Sequence, residues 1–259
     1  HSNVKMLHKK GNTADPNNYR GIALQESTTK IVSSIIADRL LTNIEEHGHP
    51  TQFGFQRNMG CTDALFLLRT LLQNRREYNL ETHVLFVDLV KAFDTVNHEL
   101  LFQILAKYGL PQSLIRVVES LHKDLKVNLK LSKSLQIEID YTNGVKQGDN
   151  MAPILFLYVV QAMTETLSPI LKNNNVHPIS LLHYPIAPKG KVQRGMLSGQ
   201  KTGKRATQEN LDIIAILFAD DGAFPFKSRL DMVIGANLIF KHLKRFGLKM
   251  HIGMDNKPS

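Results

Sequence analysis

Leu217-Phe218-Ala219-Asp220-Asp221-Gly222 places two adjacent carboxylates at the end of an apolar run and follows them with a glycine. Ile213 to Ala219 reads as a buried strand and Ala223 to Phe226 as a second one, which makes Asp220-Asp221-Gly222 a tight hairpin turn with its acids at the apex. Two like charges that close resist joint ionisation unless a cation neutralises them, and a divalent ion with oxygen ligands is the usual cation. Asp-Asp-Gly is also ordinary turn chemistry on a solvated hairpin, so this stretch alone does not choose between the two readings. A second stretch of the same kind, His83-Val84-Leu85-Phe86-Val87-Asp88-Leu89, delivers another aspartate to the end of another apolar strand. If the two strands are sheet neighbours, Asp88 and Asp220 can share a pair of ions that activates a hydroxyl and stabilises a leaving pyrophosphate.

The elements that must position these acids follow from periodicity. Val4-Lys5-Met6-Leu7 is a short strand, followed by the basic Lys9-Lys10-Gly11, a turn-rich stretch and Tyr19-Arg20-Gly21-Ile22. Ser27 to Glu46, with Ile31, Ile35, Leu40, Leu41 and Ile44 on its apolar side and Gly48 as a stop, predicts an amphipathic helix. Thr62 to about Tyr78 predicts a second, with Ala64, Leu65, Leu68, Leu71 and Leu72 towards the core. Between them Gln52-Phe53-Gly54-Phe55-Gln56-Arg57 is an aromatic and basic loop, in which Arg57 either grips a phosphate or is solvated. His98–Tyr108 and Pro111–Lys123 read as helices, with proline near the start of the second. Val127–Leu131 and Leu135–Ile139 alternate as a hairpin. Asn143 to Asn150 is a glycine-bearing loop that opens an apolar helix from Met151 to about Leu171, and a helix N-terminus is a natural seat for phosphate. Gly190 to Lys204 is a basic insertion without periodicity. Arg229–Phe246 and Leu248–Ile252 predict a last helix and a last strand.

With 259 residues, 42% of them hydrophobic, the chain can bury a substantial core, which excludes a disordered tail. A formal charge of +9 favours a polyanionic partner. The single cysteine, Cys61, excludes an internal disulfide and a Cys-rich zinc site, so an intracellular, reducing compartment is expected, without a choice between nucleus and cytoplasm. The longest apolar stretch, Met151 to Met163, is interrupted by Pro153 and Gln161 and reads as too short to span a bilayer, so no membrane partner is expected. The chain starts at His1 and is taken for a fragment.

Three stretches in this order, Phe86-Val-Asp-Leu-Val-Lys-Ala-Phe-Asp94, Asn143-Gly-Val-Lys-Gln-Gly-Asp-Asn-Met-Ala-Pro153 and Phe218-Ala-Asp-Asp221, resemble the reverse transcriptases of the non-LTR retrotransposon and group II intron branch. Lys9-Lys10-Gly11 and Tyr19-Arg20-Gly21-Ile22 resemble the same branch, and the resemblance covers nearly the whole chain. It implies an α+β right-hand polymerase fold: fingers mainly over 1–82, palm mainly over 83–259, a fingers-like hairpin near 125–141, a basic insertion near 183–210, an antiparallel palm sheet packed on helices, and no thumb. It implies Asp88, Asp220 and Asp221 as catalytic acids. Together with Leu89 they would ligate two Mg2+ ions, with Mn2+ as a substitute. Lys9, Lys10, Arg20, Phe93, Gln147 and Gly148 would bind the nucleotide, and Arg57 and Pro153 the template. The implied partners are an RNA template, a DNA primer and deoxynucleoside triphosphates; the oligomeric state is not addressed. Phe93, five residues past Asp88, would exclude a 2′-hydroxyl, which separates a DNA-making enzyme from its rival, an RNA-dependent RNA polymerase. A nucleic-acid-binding remnant without activity is the other alternative. Asn150, Met151 and Ala152 depart from the family's more usual Pro-Leu-Ser and bear on template contacts. Lys257 is a candidate for the family's downstream lysine.

Overall fold

The computed structural model describes residues 2–123, 126–130, 136–183 and 209–251. Strands β1 (Ser2–His8) and β2 (Tyr19–Leu24) pair antiparallel, with Leu7 opposite Arg20 and His8 opposite Tyr19. Helices α1 (Ser27–His47) and α2 (Cys61–Glu77) follow, then β3 (His83–Val87) and a single 3-10 turn over Ala92–Thr95. Next come α3 (His98–Lys107), α4 (Gln112–His122), the hairpin β4 (Lys126–Lys130) and β5 (Gln136–Asp140), and the long α5 (Ala152–Asn173). The chain then forms β6 (Ile179–His183), β7 (Glu209–Ile213), β8 (Ile216–Phe218), β9 (Asp221–Phe226) and α6 (Arg229–Arg245).

The strands form a four-stranded sheet β2-β1-β4-β5, a three-stranded sheet β3-β9-β8 and a ribbon β6-β7. All neighbours are antiparallel except β1 and β4. In the three-stranded sheet side chains alternate between faces. Val87 with Gly222 opposite it, Phe224, Phe226 and Leu217 face a core shared with α5 and α6, whereas Val84, Ala223 and Ile216 face a smaller core with Ala64, Leu71, Ile179 and Ile213. Both faces are thus covered away from the turn. Near it the second face opens, and Phe86 is 71% exposed.

Helix α5 is the axis of the larger core, with Leu155, Phe156, Tyr158 and Leu167 fully enclosed. Each such apolar side chain contributes roughly 1.5–3 kcal/mol of transfer free energy. The whole of α5, longer than the Met151–Met163 run read from the sequence, is by length and composition alone apolar enough to cross a membrane. In the fold most of it is buried against α1, α3 and α6, the usual state of a core helix.

Several elements depart from the sequence reading. The apolar run over 213–219 is two strands, not one: Ile213 ends β7, paired with β6, and the chain turns at Ile214-Ala215 before starting β8. On α1 the buried side is Ser33, Ile36, Ala37, Leu40 and Ile44, and Ile31 and Ile35 face outward; on α2 Leu65 and Leu72 do the same. These helices carry more apolar residues than one stripe needs, so composition alone could not select the stripe. The expected last strand is a single bridge, Leu89 opposite Met250. Most of the basic insertion, Ile252 and Lys257 lie outside the described residues.

Candidate active site

The β8–β9 hairpin closes with Phe218 opposite Asp221, so the two-residue turn is Ala219-Asp220 and not Asp220-Asp221-Gly222. Of the two acids only Asp220 lies in the turn, and Asp221 is the first residue of β9. The β3–β9 register ends with Val87 paired to Gly222, and continuing the same register by one residue would set Asp88 across from Asp221. Residues directly opposite one another in an antiparallel pair project to the same face about 5 Å apart. Asp88 and Asp221 therefore share the open face beside the exposed Phe86, with Asp220 at its end. The Asp221 carboxyl is held above the usual range by burial, and further by the negative charges of Asp220 and Asp88. Asp221 therefore lies within electrostatic reach of both Asp220 and Asp88.

Past the end of β3 the backbone is held by residues 249–251. Val90 N–H donates to the Lys249 carbonyl at 2.7 Å and His251 N–H to the Asp88 carbonyl at 2.8 Å. These bonds flank Leu89, whose own N–H and carbonyl then point to the opposite edge, where β9 runs. The Leu89 carbonyl is thus available on the side of the acids. Among the described residues no three His, Cys, Asp or Glu side chains form a group that could hold an ion by themselves. The donor set fits an ion that takes most of its oxygens from phosphate and water, as magnesium does, and not a protein-only cage.

A second charged group centres on Asp94. Burial raises its carboxyl, and Lys91, a hydrogen bond from Gln147, Lys9 and Arg20 oppose that shift in decreasing order. The Gln147 amide donates to Asp94 Oδ1 at 3.4 Å. The structure therefore brings Lys9 and Arg20, both of the β1–β2 hairpin, and the distant Gln147 around one carboxylate. Lys10 is exposed and is not among the groups that act on Asp94.

The loop before α5 is fastened on two sides. Gly144 N–H donates to Val96, Val145 N–H to Phe93, and the His98 ring contacts the Gly144 carbonyl at 2.7 Å. On the other side Ala23 N–H donates to the Gln147 carbonyl at 2.7 Å, and Gly148 has φ +104° with no room for a Cβ, which would lie 2.6 Å from the Ala23 carbonyl oxygen. Asp149, buried, accepts from Ser33 Oγ, from Gln25 Nε2 and from the Met151 N–H at the start of α5. Pro153 lies in the first turn of α5 beyond this knot.

Phe93 sits in the 3-10 turn, half-buried, its ring stacked on the fully buried Phe156 with centroids 4.9 Å apart and edge-on to Phe55 at 6.2 Å. Arg57 does not stand free: it forms ion pairs with Asp38 and with Glu45 of α1, the latter at 3.1 Å. Its charge is matched within the fold, and a template phosphate would have to displace those partners. Sequence reasoning gave no role to Asp94 or Asp149. Asp94 ended a quoted motif and Asp149 sat inside another, yet Gln147, which donates to Asp94, and Ser33 and Gln25, which donate to Asp149, are more than 40 residues away in the chain.

The model of the family described as "Reverse transcriptase (RNA-dependent DNA polymerase)" matches residues 7–252. This chain belongs to the reverse transcriptases. Over 159 residues it is 30% identical to the Pol polyprotein of type-1 retrotransposable element R2 of Popillia japonica, covering 61% of this chain and 22% of that protein. Over 152 residues it is 28% identical to the polyprotein of the type-2 element R2DM of Drosophila melanogaster, covering 59% of this chain and 14% of that one. The RNA-directed DNA polymerase of the mobile element jockey of the same fly is 29% identical over 159 residues, 60% of this chain and 17% of the relative. The reverse transcriptase is thus of the non-LTR type, and the matched stretch is a minor part of each relative's length. Among solved structures, apo telomerase of Candida tropicalis superposes with a TM-score of 0.61 at 11% identity, over all of this chain and 52% of that one. Telomerase of Candida albicans with a fragment of telomeric RNA gives 0.62 at 10% identity, over all of this chain and 42% of that one. At such identities the likeness shows the shared fold alone.

Proposed function

We propose that this reverse transcriptase chain extends a DNA primer on an RNA template by two-metal nucleotidyl transfer. The observation that carries the reading is the β3–β9 ladder, which ends at Val87 opposite Gly222 so that Asp88 and Asp221 follow it side by side, with Asp220 in the adjoining turn. Asp88, the Leu89 carbonyl, Asp220 and Asp221 would hold two Mg2+ ions, for which Mn2+ could substitute. Bound there, such ions lower the pKa of a primer 3′-hydroxyl and brace the departing pyrophosphate. The remaining residues position the reactants, which is most of what phosphoryl transfer asks of a protein.

Lys9 and Arg20, both within electrostatic reach of Asp94, are suited to hold a triphosphate, and Asp94 keeps the two cations together while no phosphate is present. Gln147 and Gly148, tied to β2, form the floor under the nucleotide. The Phe93 ring, backed by Phe156, would fill the space a 2′-hydroxyl needs. In this reading the β2-β1-β4-β5 sheet with α1 and α2 plays the part of fingers and the β3-β9-β8 sheet with α5 and α6 the part of palm. Pro153 would meet the template where it passes α5. Arg57 would do so only by releasing Asp38 and Glu45.

The test is extension of a DNA primer on an RNA template with Mg2+ and deoxynucleotides, by the longest natural polypeptide that contains the chain. Template-copied extension that requires the metal supports the reading. Binding of template-primer without extension, in protein shown to be folded, would favour the remnant that only binds nucleic acid.

A further inference from the structure

Residues 51–54 belong to the loop between α1 and α2, and the function proposed above does not use them. They lie along the free edge of β8. Leu217 N–H donates to the Thr51 carbonyl at 2.9 Å, Phe53 N–H donates to the Leu217 carbonyl at 2.8 Å, and Gln52 bridges Leu217 in a parallel sense. Thr51 Oγ1 adds a bond to the Ala215 carbonyl at 2.5 Å. The segment thus acts as a fourth strand laid on the hairpin that carries the acids.

Gln52 goes further than edge pairing. The residue is 4% exposed, and its Oε1 accepts two backbone N–H groups, that of Gly54 at 2.8 Å and that of Ala219 at 3.1 Å. The two donors fix the orientation of the amide, because the reversed amide would set an NH2 group against two N–H groups. In this orientation Nε2 is buried and has no hydrogen-bond partner among the described residues. A leucine or methionine would avoid that unsatisfied donor but would lose the acceptor, so the oxygen is what a glutamine supplies here.

Ala219 is where an acceptor matters. It immediately precedes Asp220, it is the first residue of the two-residue turn, and it has φ +58°, a conformation that an L residue with a Cβ adopts only when its surroundings impose it. The bond to Gln52 fixes the direction of the Ala219 N–H and with it the Phe218–Ala219 peptide plane, the plane about which the left-handed Ala219 φ turns the chain towards Asp220. Gly54 allows the approach: a Cβ there would lie 2.2 Å from the Ala219 nitrogen.

We infer that Gln52 is a positioning residue of the catalytic centre: its Oε1 holds the Ala219 peptide in its left-handed turn and so aims the Asp220 carboxylate. This rests on the function proposed above, with Asp220 as a metal-binding acid. Gln52 touches no reacting atom, and it acts through one backbone group.

The test is Gln52→Met in the same natural polypeptide, a change that keeps side-chain length, removes the acceptor and also removes the unsatisfied donor. Two readouts are taken. Hydrogen exchange of the Ala219 amide, in metal-free protein, is expected to accelerate at least about tenfold while amides in α5 keep their protection. In single-turnover extension the rate constant is expected to fall by on the order of a hundredfold, the cost of misplacing a reacting group by about 1 Å. The dissociation constant for template-primer and the fraction of active sites should stay within about twofold. A purely structural glutamine gives the reverse: fewer active sites and lower α5 protection, with an undiminished rate per active site. Gly54→Ala, which forces the segment off the turn while leaving Gln52 in place, serves if Gln52→Met does not fold, and it must show the same pair of changes. Unchanged Ala219 exchange, or faster exchange with an undiminished rate, overturns the inference. If the wild-type protein extends nothing, the proposed function fails, while the exchange measurement still reports whether the clamp exists.

Discussion

Replacing Phe93 with valine separates sugar selection from packing. The ring lies flat on Phe156 at 4.9 Å and meets Phe55 at its edge, so one face is committed to the core, and in the proposed function the remaining side would meet the nucleotide sugar. The turn that carries the ring survives the change, because its anchor is the main-chain bond from Val145 N–H to the Phe93 carbonyl at 2.8 Å. Losing the stack and part of the ring's burial costs about 1–2 kcal/mol of stability. In the proposed role of Phe93, a ribonucleotide's 2′-hydroxyl would be buried without a partner, at a cost of about 1–3 kcal/mol before any steric clash. Relieving that penalty changes the ratio of kcat/KM for deoxynucleotide over ribonucleotide by roughly fivefold to a hundredfold. The assay is single-nucleotide insertion on an RNA template with each sugar, Phe93→Val against wild type. Ribonucleotide insertion should rise while deoxynucleotide insertion persists. An unchanged ratio, or loss of both activities together, would show that Phe93 is packing and that the sugar is selected elsewhere.

Arg20→Ala should raise KM for deoxynucleotides by about tenfold through the loss of a charge-assisted phosphate contact, with a smaller change in kcat. Lys10→Ala should move neither by more than about twofold, and equal effects of the two substitutions would refute the placement around Asp94. The Asp221 carboxyl is raised in the fold, so its charged form is disfavoured there relative to the unfolded chain. The associated stability is present at low pH and lost as pH rises through the raised pKa. Asp221→Asn should therefore leave the metal-free protein at neutral pH as stable or up to about 2 °C more so, and should reduce the stabilisation that Mg2+ and nucleotide give together; a lowered Tm without metal would contradict the crowding of the acids. Burial holds His122 below the ordinary imidazole range, and His49 and His242 are shifted the same way, each with burial as the main cause. For these the neutral form is favoured in the fold, so their contribution is full above the unfolded pKa of about 6.5 and is lost as pH falls below it. Melting curves should show a falling Tm between about pH 7 and pH 5, and a flat or rising one would remove the buried imidazoles from the account.

The acids were legible because an apolar strand ending in aspartate is a local pattern, and two such strands needed only to be neighbours. Their register was not legible, and it moved the turn by one residue: the apex is Ala219-Asp220 because Phe218 pairs with Asp221. The helices were read to within a few residues, but the buried sides of α1 and α2 were not, since Ile31, Ile35 and Leu65 offer as much apolar surface as the residues the core took. What sequence reasoning missed is the set of polar residues whose partners come from afar. Asp94 meets Gln147, Asp149 meets Ser33 and Gln25, and Gln52 meets Ala219. No local periodicity encodes such pairs, which arise only when loops are laid against strands. Arg57 shows the converse: a basic residue in a loop looked open to phosphate, and α1 supplies two carboxylates for it.

The central claim is that Asp88, Asp220 and Asp221 form one metal-dependent centre, and Asp220→Asn tests it most directly. The substitution removes one charge, alters little volume and sits in a turn rather than in the core. Single-turnover extension of a DNA primer on an RNA template, measured across a range of Mg2+ concentrations with circular dichroism as the check on folding, should show no detectable product at any concentration. A folded Asp220→Asn protein that extends the primer at the wild-type rate and with the wild-type dependence on Mg2+ would contradict the account.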